Sequence, residues 1–253
     1  MWAKKAHSLV NPNFDGLTGL RAIAAAWVIA FHYRIGPFQP LGAEHILPIL
    51  GYGYLGVDLF FILSGFVIWH AHCRDFAQPK VQNLVRFLCL RVARLYPVHL
   101  FTLGLLAFLL WFAPQFGDPP LNPSNYTGRQ FLLQLALVQS WGFSDHLSWN
   151  YPSWSVSAEW FCYLCVLVVG LAISRTRPGG TVAAIICMIA TAGVTYMTVF
   201  DQTMNQAIGW LTLIRAFPEF LLGCLLRRLA DQVALDTLPW TCPAQIMVQS
   251  VER

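Results

Sequence analysis

The chain has 253 residues, 57% of them apolar and 11% charged, whereas a water-soluble domain carries about 25% charged residues. Its mean hydropathy of +0.54 and 14% aromatic content exclude an ordinary soluble domain and fit a bilayer as solvent, with aromatic side chains anchoring helix ends at the interface. The net charge of +4 is not gathered with aromatics into a basic module, which excludes nucleic acid as a partner, and seven scattered cysteines, with Cys162, Cys165, Cys187 and Cys224 inside apolar runs, do not make a secreted disulfide framework.

The first apolar run, 17–33, shows no small-residue cleavage pattern and reads as a signal anchor that stays in the membrane. Further runs of spanning length, each of about 20 residues, occupy 50–70, 95–113, 151–173, 181–200 and 207–226. The apolar piece 131–143 is shorter and contains Gln134 and Gln139, so it is predicted to lie re-entrant or along the interface. Around it, 114–150 is rich in Pro, Asn, Ser and Gly, including Asp118-Pro119-Pro120, and predicts an outer loop over a cavity. The predicted fold is all-α, a polytopic transmembrane helical bundle of six spans over 1–228 followed by a polar tail, 229–253.

The basic residues orient it. With the N-terminus cytoplasmic, Lys4, Lys5, Arg21, Arg74, Lys80, Arg86, Arg91, Arg94, Arg175, Arg177, Arg227 and Arg228 all fall at or near the inner face, and only Arg34 and Arg129 fall outside.

An ionisable group at membrane depth costs a few kcal/mol, about 2.5–3.5 on the mildest scale, and faces a partner or a wet cavity. His32, Asp58, Glu159, Arg215 and Glu219 are such groups. Arg21 and His32 are separated by a spacing that leaves them only ~20° apart around a helix and ~16 Å apart along it, so they line one face. His32 reads either as a proton acceptor or as an interfacial histidine beside Tyr33. Asp58 and Glu159 each lie several residues below the outer start of their spans, at depths comparable with His32, and either can orient an imidazole and stabilise its cation. Arg215 and Glu219 have the spacing of a direct ion pair, with Pro218 between them, and read as a structural pair or as substrate-facing groups. Arg86, Arg91 and Arg94 precede the third span and suit either inner-face anchoring or the phosphates of a ligand. Ser64 and Ser155 sit in no nucleophile-elbow pattern, and Ser64-Gly65 reads better as a close helix approach. Cys162-x-x-Cys165 reads as a pair of small packing residues. No metal-ligand spacing is found; His70-x-His72 lies at the inner end of its helix.

Five stretches together resemble the membrane acyltransferase-3 family. Leu17-Thr-Gly-Leu-Arg21, then ten residues and His32, is similar to that family's opening helix, and Gly53-Tyr-Leu-Gly-Val-Asp58 through Ser64-Gly65-Phe66 to its second-helix motif. Arg91-Val-Ala-Arg94-Leu-Tyr-Pro97, Trp154-Ser-Val-Ser-Ala-Glu159 and Arg215-Ala-Phe-Pro-Glu219-Phe resemble the next three in order. The resemblance implies acyl transfer, often of acetyl, from cytoplasmic acyl-CoA (acetyl-CoA) to a hydroxyl of a carbohydrate or lipid-linked glycan acceptor at the bacterial inner membrane. It implies no permanently bound cofactor. His32 would activate the hydroxyl or shuttle the acyl group, Asp58 or Glu159 would assist, Arg21 would hold the donor, and Arg86, Arg91 and Arg94 would receive its phosphates. Ser64, Ser155, Arg215 and Glu219 are placed as substrate-binding or structural.

Members of that family carry about ten spans of roughly 20 residues each, so six spans and a polar tail lead to the expectation that the C-terminal part of the bundle is absent. Apolar faces left without protein partners would then meet membrane lipid or favour a homo-oligomer. Rival readings are a transporter or channel, because buried Arg, His and carboxylates also build proton relays, and an inactive truncated member acting as a membrane partner.

Overall fold

A computed structural model of the chain describes residues 14–33, 48–116, 123–144, 148–195 and 209–233. Lys4, Lys5, Arg34, Asp118-Pro119-Pro120 and the tail beyond Val233 lie outside the described residues. Among the described residues there are seven α-helices and no strands: α1 (Phe14–Tyr33), α2 (Leu55–Ala77), α3 (Val81–Phe112), α4 (Gly128–Leu135), α5 (Trp154–Ser174), α6 (Pro178–Thr195) and α7 (Leu211–Val233). Leu55–Ala77, Val81–Gln115 and Tyr151–Ser174 are long and apolar enough to cross a membrane, and Gly179–Thr191 is a shorter apolar helix. The chain forms two compact units, Met1–Leu63 and Ser64–Arg253.

In the first unit, α1 is built on alanine, the best helix former, and its small side chains set how closely α2 approaches. Ala24 is fully buried. A Cβ on Gly56 would stand 2.7 Å from Val28 Cγ2 and 2.8 Å from the Ala24 carbonyl oxygen, so only glycine fits there. Above this crossing the Trp27 indole N–H donates to the Ile49 carbonyl at 2.9 Å, tying α1 to the 3-10 turn Pro48–Tyr52.

The second unit is organised by aromatic rings. Trp69 and Phe76 on α2, Phe87 on α3, Tyr163 on α5 and Phe220 on α7 are all essentially inaccessible. The last four meet edge to face, with centroids 5.6 Å apart for Phe76–Phe87, 5.9 Å for Phe87–Tyr163 and 6.0 Å for Tyr163–Phe220. Such pairs contribute about 0.5–1.5 kcal/mol each beyond the area they bury. Gly65 allows α2 to touch α7: a Cβ there would run into the Phe220 carbonyl oxygen and lie 2.8 Å from its carbon. The Cys224 thiol donates to the Gly65 carbonyl at 3.4 Å. Gly170 admits Phe76 to α5 in the same way, its absent Cβ falling 2.8 Å from Phe76 Cβ.

Helix α3 differs from its sequence reading. The apolar run predicts a span from residue 95, whereas the helix begins at Val81 and carries Arg86, Arg91 and Arg94 within it. Arginine is itself a good helix former, so hydropathy marks where α3 becomes lipid-compatible and not where it starts. Its later part exposes Val98, Phe101, Leu105, Phe108 and Trp111, the all-round apolar surface that lipid tolerates.

The 131–143 segment is no span. Thr127 caps α4 by accepting from the Gln130 amide at 3.3 Å, and the helix ends in a Schellman turn, with Val138 N–H bonded to the Leu133 carbonyl and Leu137 N–H to that of Gln134, both at 3.0 Å. Leu137 takes the left-handed position, φ 57°, where glycine is usual. Its complete burial and a 2.8 Å bond from Ser157 Oγ to its carbonyl hold it there. Gln134 and Gln139 then bond to Ser148 and Ser153 across the loop.

Helix α7 continues to Val233, into the stretch read from sequence as a polar tail from 229. The polar residues there are used. Arg227 pairs with Asp231 at 2.8 Å, the two being 5% and 1% exposed, and its Nε donates to His70 Nδ1 at 3.0 Å. Arg228 and Gln232 donate to the carbonyls of Ser174 and Thr176 at 2.6–3.1 Å, which ties α7 to the α5–α6 turn.

Gly65→Ala is expected to destabilise the detergent-solubilised protein by about 1–3 kcal/mol, because backbone and not a yielding side chain opposes the new methyl. Gly104→Ala, with nothing within 4 Å of its Cβ position, is expected to leave the thermal midpoint unchanged or slightly raised. Equal midpoints for the two variants would contradict the α2–α7 contact.

Candidate active site

The first turns of α5 supply a carboxylate. Glu159 and Tyr163 stand one turn apart on the same face, and the Tyr163 hydroxyl donates to Glu159 Oε1 at 2.5 Å. Ser64 comes from α2, one residue before the glycine that permits the α2–α7 contact, and its hydroxyl donates to the same Oε1, also at 2.5 Å. The two hydroxyl oxygens are 3.3 Å apart. Ser64 is therefore a carboxylate partner as it stands, since its proton points at Glu159. Glu159 Oε2 makes no hydrogen bond among the described residues and keeps some accessible surface.

Above the Tyr163 ring lies Arg91, its guanidinium carbon 5.7 Å from that centroid and 5.6 Å from that of Phe87. Among the described residues its Nε is buried without a hydrogen bond. The three arginines of α3 thus do not form one patch. Relative to Arg91, Arg86 is rotated ~140° and Arg94 ~60° around the helix, and both are exposed. Arg91 is a packing cation of the Glu159 group, while Arg86 and Arg94 remain on the surface.

In the first unit, His32 stands exposed at the end of α1, 2.8 Å through Nδ1 from the Val28 carbonyl and edge-on to Phe31. A carbonyl only accepts, so the proton sits on Nδ1 and a neutral His32 carries its lone pair on Nε2. Arg21 lies half-buried on the same helix, and Asp58 half-buried in the first turn of α2.

The remaining predicted residues do other things. Ser155 donates to the Pro152 carbonyl at 3.3 Å within the first turn of α5 and takes no part in the Glu159 group. Arg215 Nε stands 3.9 Å from Glu219 Oε1, 4% and 15% exposed, with its guanidinium 5.9 Å from the Trp154 ring, so this pair links α7 to the start of α5. His70 and His72 serve different partners, Arg227 and Asp75. Cys162 and Cys165 both carry free thiols. A largely apolar cavity of about 650 Å³, lined by Phe161, Met188, Trp210, Leu213, Phe217 and Pro218 among others, shares no residue with the Glu159 group.

Two buried polar residues escape a reading of charges along the sequence. Tyr163 is one; the signal that finds it is its spacing four residues after Glu159. His99 is the other, buried at 3% exposure, with Nε2 donating to the Gln134 carbonyl at 2.8 Å and Nδ1 buried without a partner among the described residues. Nothing in its local sequence, Pro-Val-His-Leu, marks that contact with a loop residue far along the chain.

Comparison with known proteins gives this geometry a context. Residues 14–244 match the family described as an acyltransferase domain. The chain is 35% identical over 185 residues to the acyltransferase MdmB of Streptomyces mycarofaciens, covering 68% of this chain and 45% of that protein. It is 26% identical over 236 residues to the O-acetyltransferase OatA of Staphylococcus aureus, covering 88% of this chain and 36% of that protein. The chain therefore spans less than half the length of these curated relatives. No solved structure matches it.

Replacing Arg91 by Gln removes a cation held over two rings and is expected to cost about 0.5–2 kcal/mol of stability. Arg86→Gln and Arg94→Gln, both at exposed positions, are expected to leave the thermal midpoint within about a degree of wild type, surface substitutions being worth ±0.5 kcal/mol. Thermal unfolding of the three variants in one detergent checks this.

Proposed function

The chain belongs to the acyltransferase domain family, and we propose that it moves an acyl group, acetyl in the simplest case, from cytoplasmic acyl-CoA to a hydroxyl of a carbohydrate or lipid-linked glycan at the bacterial inner membrane. The names of two relatives, an acyltransferase and an O-acetyltransferase, support the reaction class and an oxygen acceptor. The concentration of Lys and Arg at one side of the predicted spans supports an N-in orientation.

The observation that carries the mechanism is the His32 hydrogen bond. With Nδ1–H committed to the Val28 carbonyl, Nε2 is the base, as in any imidazole whose other nitrogen is held by an acceptor. Nε2 takes the proton of the acceptor hydroxyl while that oxygen attacks the thioester carbonyl. The tetrahedral intermediate then collapses, the C–S bond breaks, and the imidazolium returns the proton to the departing CoA thiolate. Asp58 stabilises the imidazolium and Arg21 binds the donor, both in the unit that contains His32. Arg86 and Arg94, exposed on α3, meet the CoA phosphates. Glu159 accepts a hydrogen bond from a substrate hydroxyl through Oε2.

The test is reconstituted protein given acyl-labelled acetyl-CoA and a glycan acceptor. Covalent label on the acceptor is expected, with His32→Ala slower by about 10²–10⁴, the usual contribution of a general base. A His32→Ala rate equal to wild type would remove His32 from the mechanism, and flux without covalent transfer would replace the enzyme by a transporter.

A further inference from the structure

We propose that Tyr163 is a positioning residue of the reaction: with Ser64 it fixes the Glu159 carboxylate through Oε1 and leaves Oε2 as the one oxygen that meets substrate. This rests on the function proposed above.

Three observations converge. First, both hydroxyls spend their single protons on one oxygen, at 2.5 Å each, the short end of the range for O–H donors to a carboxylate. Second, neither donor can turn away. Tyr163 is 1% exposed, wedged edge to face between Phe87 and Phe220 and covered by the Arg91 guanidinium. Ser64 is 7% exposed and adjoins Gly65, where α2 lies in backbone contact with α7. Third, Oε2 has no hydrogen bond among the described residues, although a carboxylate offers about four acceptor sites. Oε2 keeps some accessible surface and can accept from a ligand, whereas Oε1 is engaged by its two donors. Here one is tied by donors from two helices and the other is left.

A phenol suits this task better than a second serine. Its hydroxyl sits at the end of a rigid ring with two torsions, and the ring is locked by its neighbours, so the hydrogen bond needs little further ordering. The hydroxyl does not contact substrate in this arrangement, and its effect passes through Glu159.

The test uses Tyr163→Phe, which keeps the ring and deletes the donor, and Ser64→Ala, a smaller change that carries the same test should the first variant fold poorly. Infrared difference spectra of the reconstituted chain give a readout independent of turnover. Each variant is expected to shift a carboxylate stretching band that Glu159→Gln removes. In the labelled-acyl assay each is expected to lower kcat by about tenfold to a hundredfold with KM for acetyl-CoA within about twofold, the pattern of a lost interaction that matters mainly in the transition state. The double variant is expected to lose less than the product of the single losses, because both donors act on one atom. An unshifted band would overturn the proposal, and so would a shifted band with unchanged kcat. Wild-type protein that transfers no acyl group would overturn the function proposed above, while the band would still decide whether Tyr163 holds Glu159.

Discussion

The second unit depends on the absence of a single side chain. In water, helices associate because apolar surface leaves the solvent, but in lipid that drive is missing and association falls to packing and to polar contacts between helices. Gly65 supplies the packing: its α-carbon sits against the Phe220 carbonyl with no room for a methyl. From that approach the rest follows. Phe220 reaches the Tyr163 ring, Tyr163 reaches Phe87, and Ser64, adjacent to the glycine, arrives at Glu159. The contact that brings two helices together also delivers the hydroxyl that orders the carboxylate.

Polar groups on the helices of this chain divide into two kinds. Arg227 is consumed by Asp231 and His70, and Arg228 and Gln232 by carbonyls of the α5–α6 turn. These make the end of α7 a fixed strut, and breaking a buried pair of this type costs about 3–5 kcal/mol because one charge is stranded. Arg215 and Glu219 fall in the same class, being paired along one helix and capped by Trp154. Glu159 and His32 belong to the other kind. Each has one atom held, Oε1 by two hydroxyls and Nδ1 by a carbonyl, and one acceptor atom not so held. Intramembrane charge alone does not separate the two kinds; the hydrogen-bond inventory does.

That distinction explains what the sequence could tell. Composition and apolar run length are enough to recognise helices long and apolar enough to cross a membrane, and the five motifs are enough to recognise the family now matched over 14–244. Local spacing also predicts the Arg215–Glu219 pair. Helix ends are less legible, because Arg86, Arg91, Arg94 and Asp231 are all compatible with helix once their side chains find rings, a counter-ion or the surface. Long-range partners are not legible at all. Ser64 and Glu159 are 95 residues apart, and His99 and Gln134 are 35 apart. The sequence lists them as separate polar interruptions, and only packing shows which share a hydrogen bond.

Arg91 shows how such a motif divides on folding. As part of Arg91-Val-Ala-Arg94 it reads as half of a basic pair, and two guanidiniums one turn apart would suit a polyphosphate. The helix gives them different surroundings. Arg94 is exposed, whereas Arg91 spreads its face over Tyr163 and Phe87 with Nε enclosed. A lysine could replace Arg94 as a point charge, but it could not replace Arg91, whose planar cation covers two rings at once. The motif therefore joins two demands. One arginine is left exposed on the surface, and the other packs over the ring whose hydroxyl holds Glu159. Through Tyr163, the end of the motif read as a donor clamp becomes part of the support for the carboxylate.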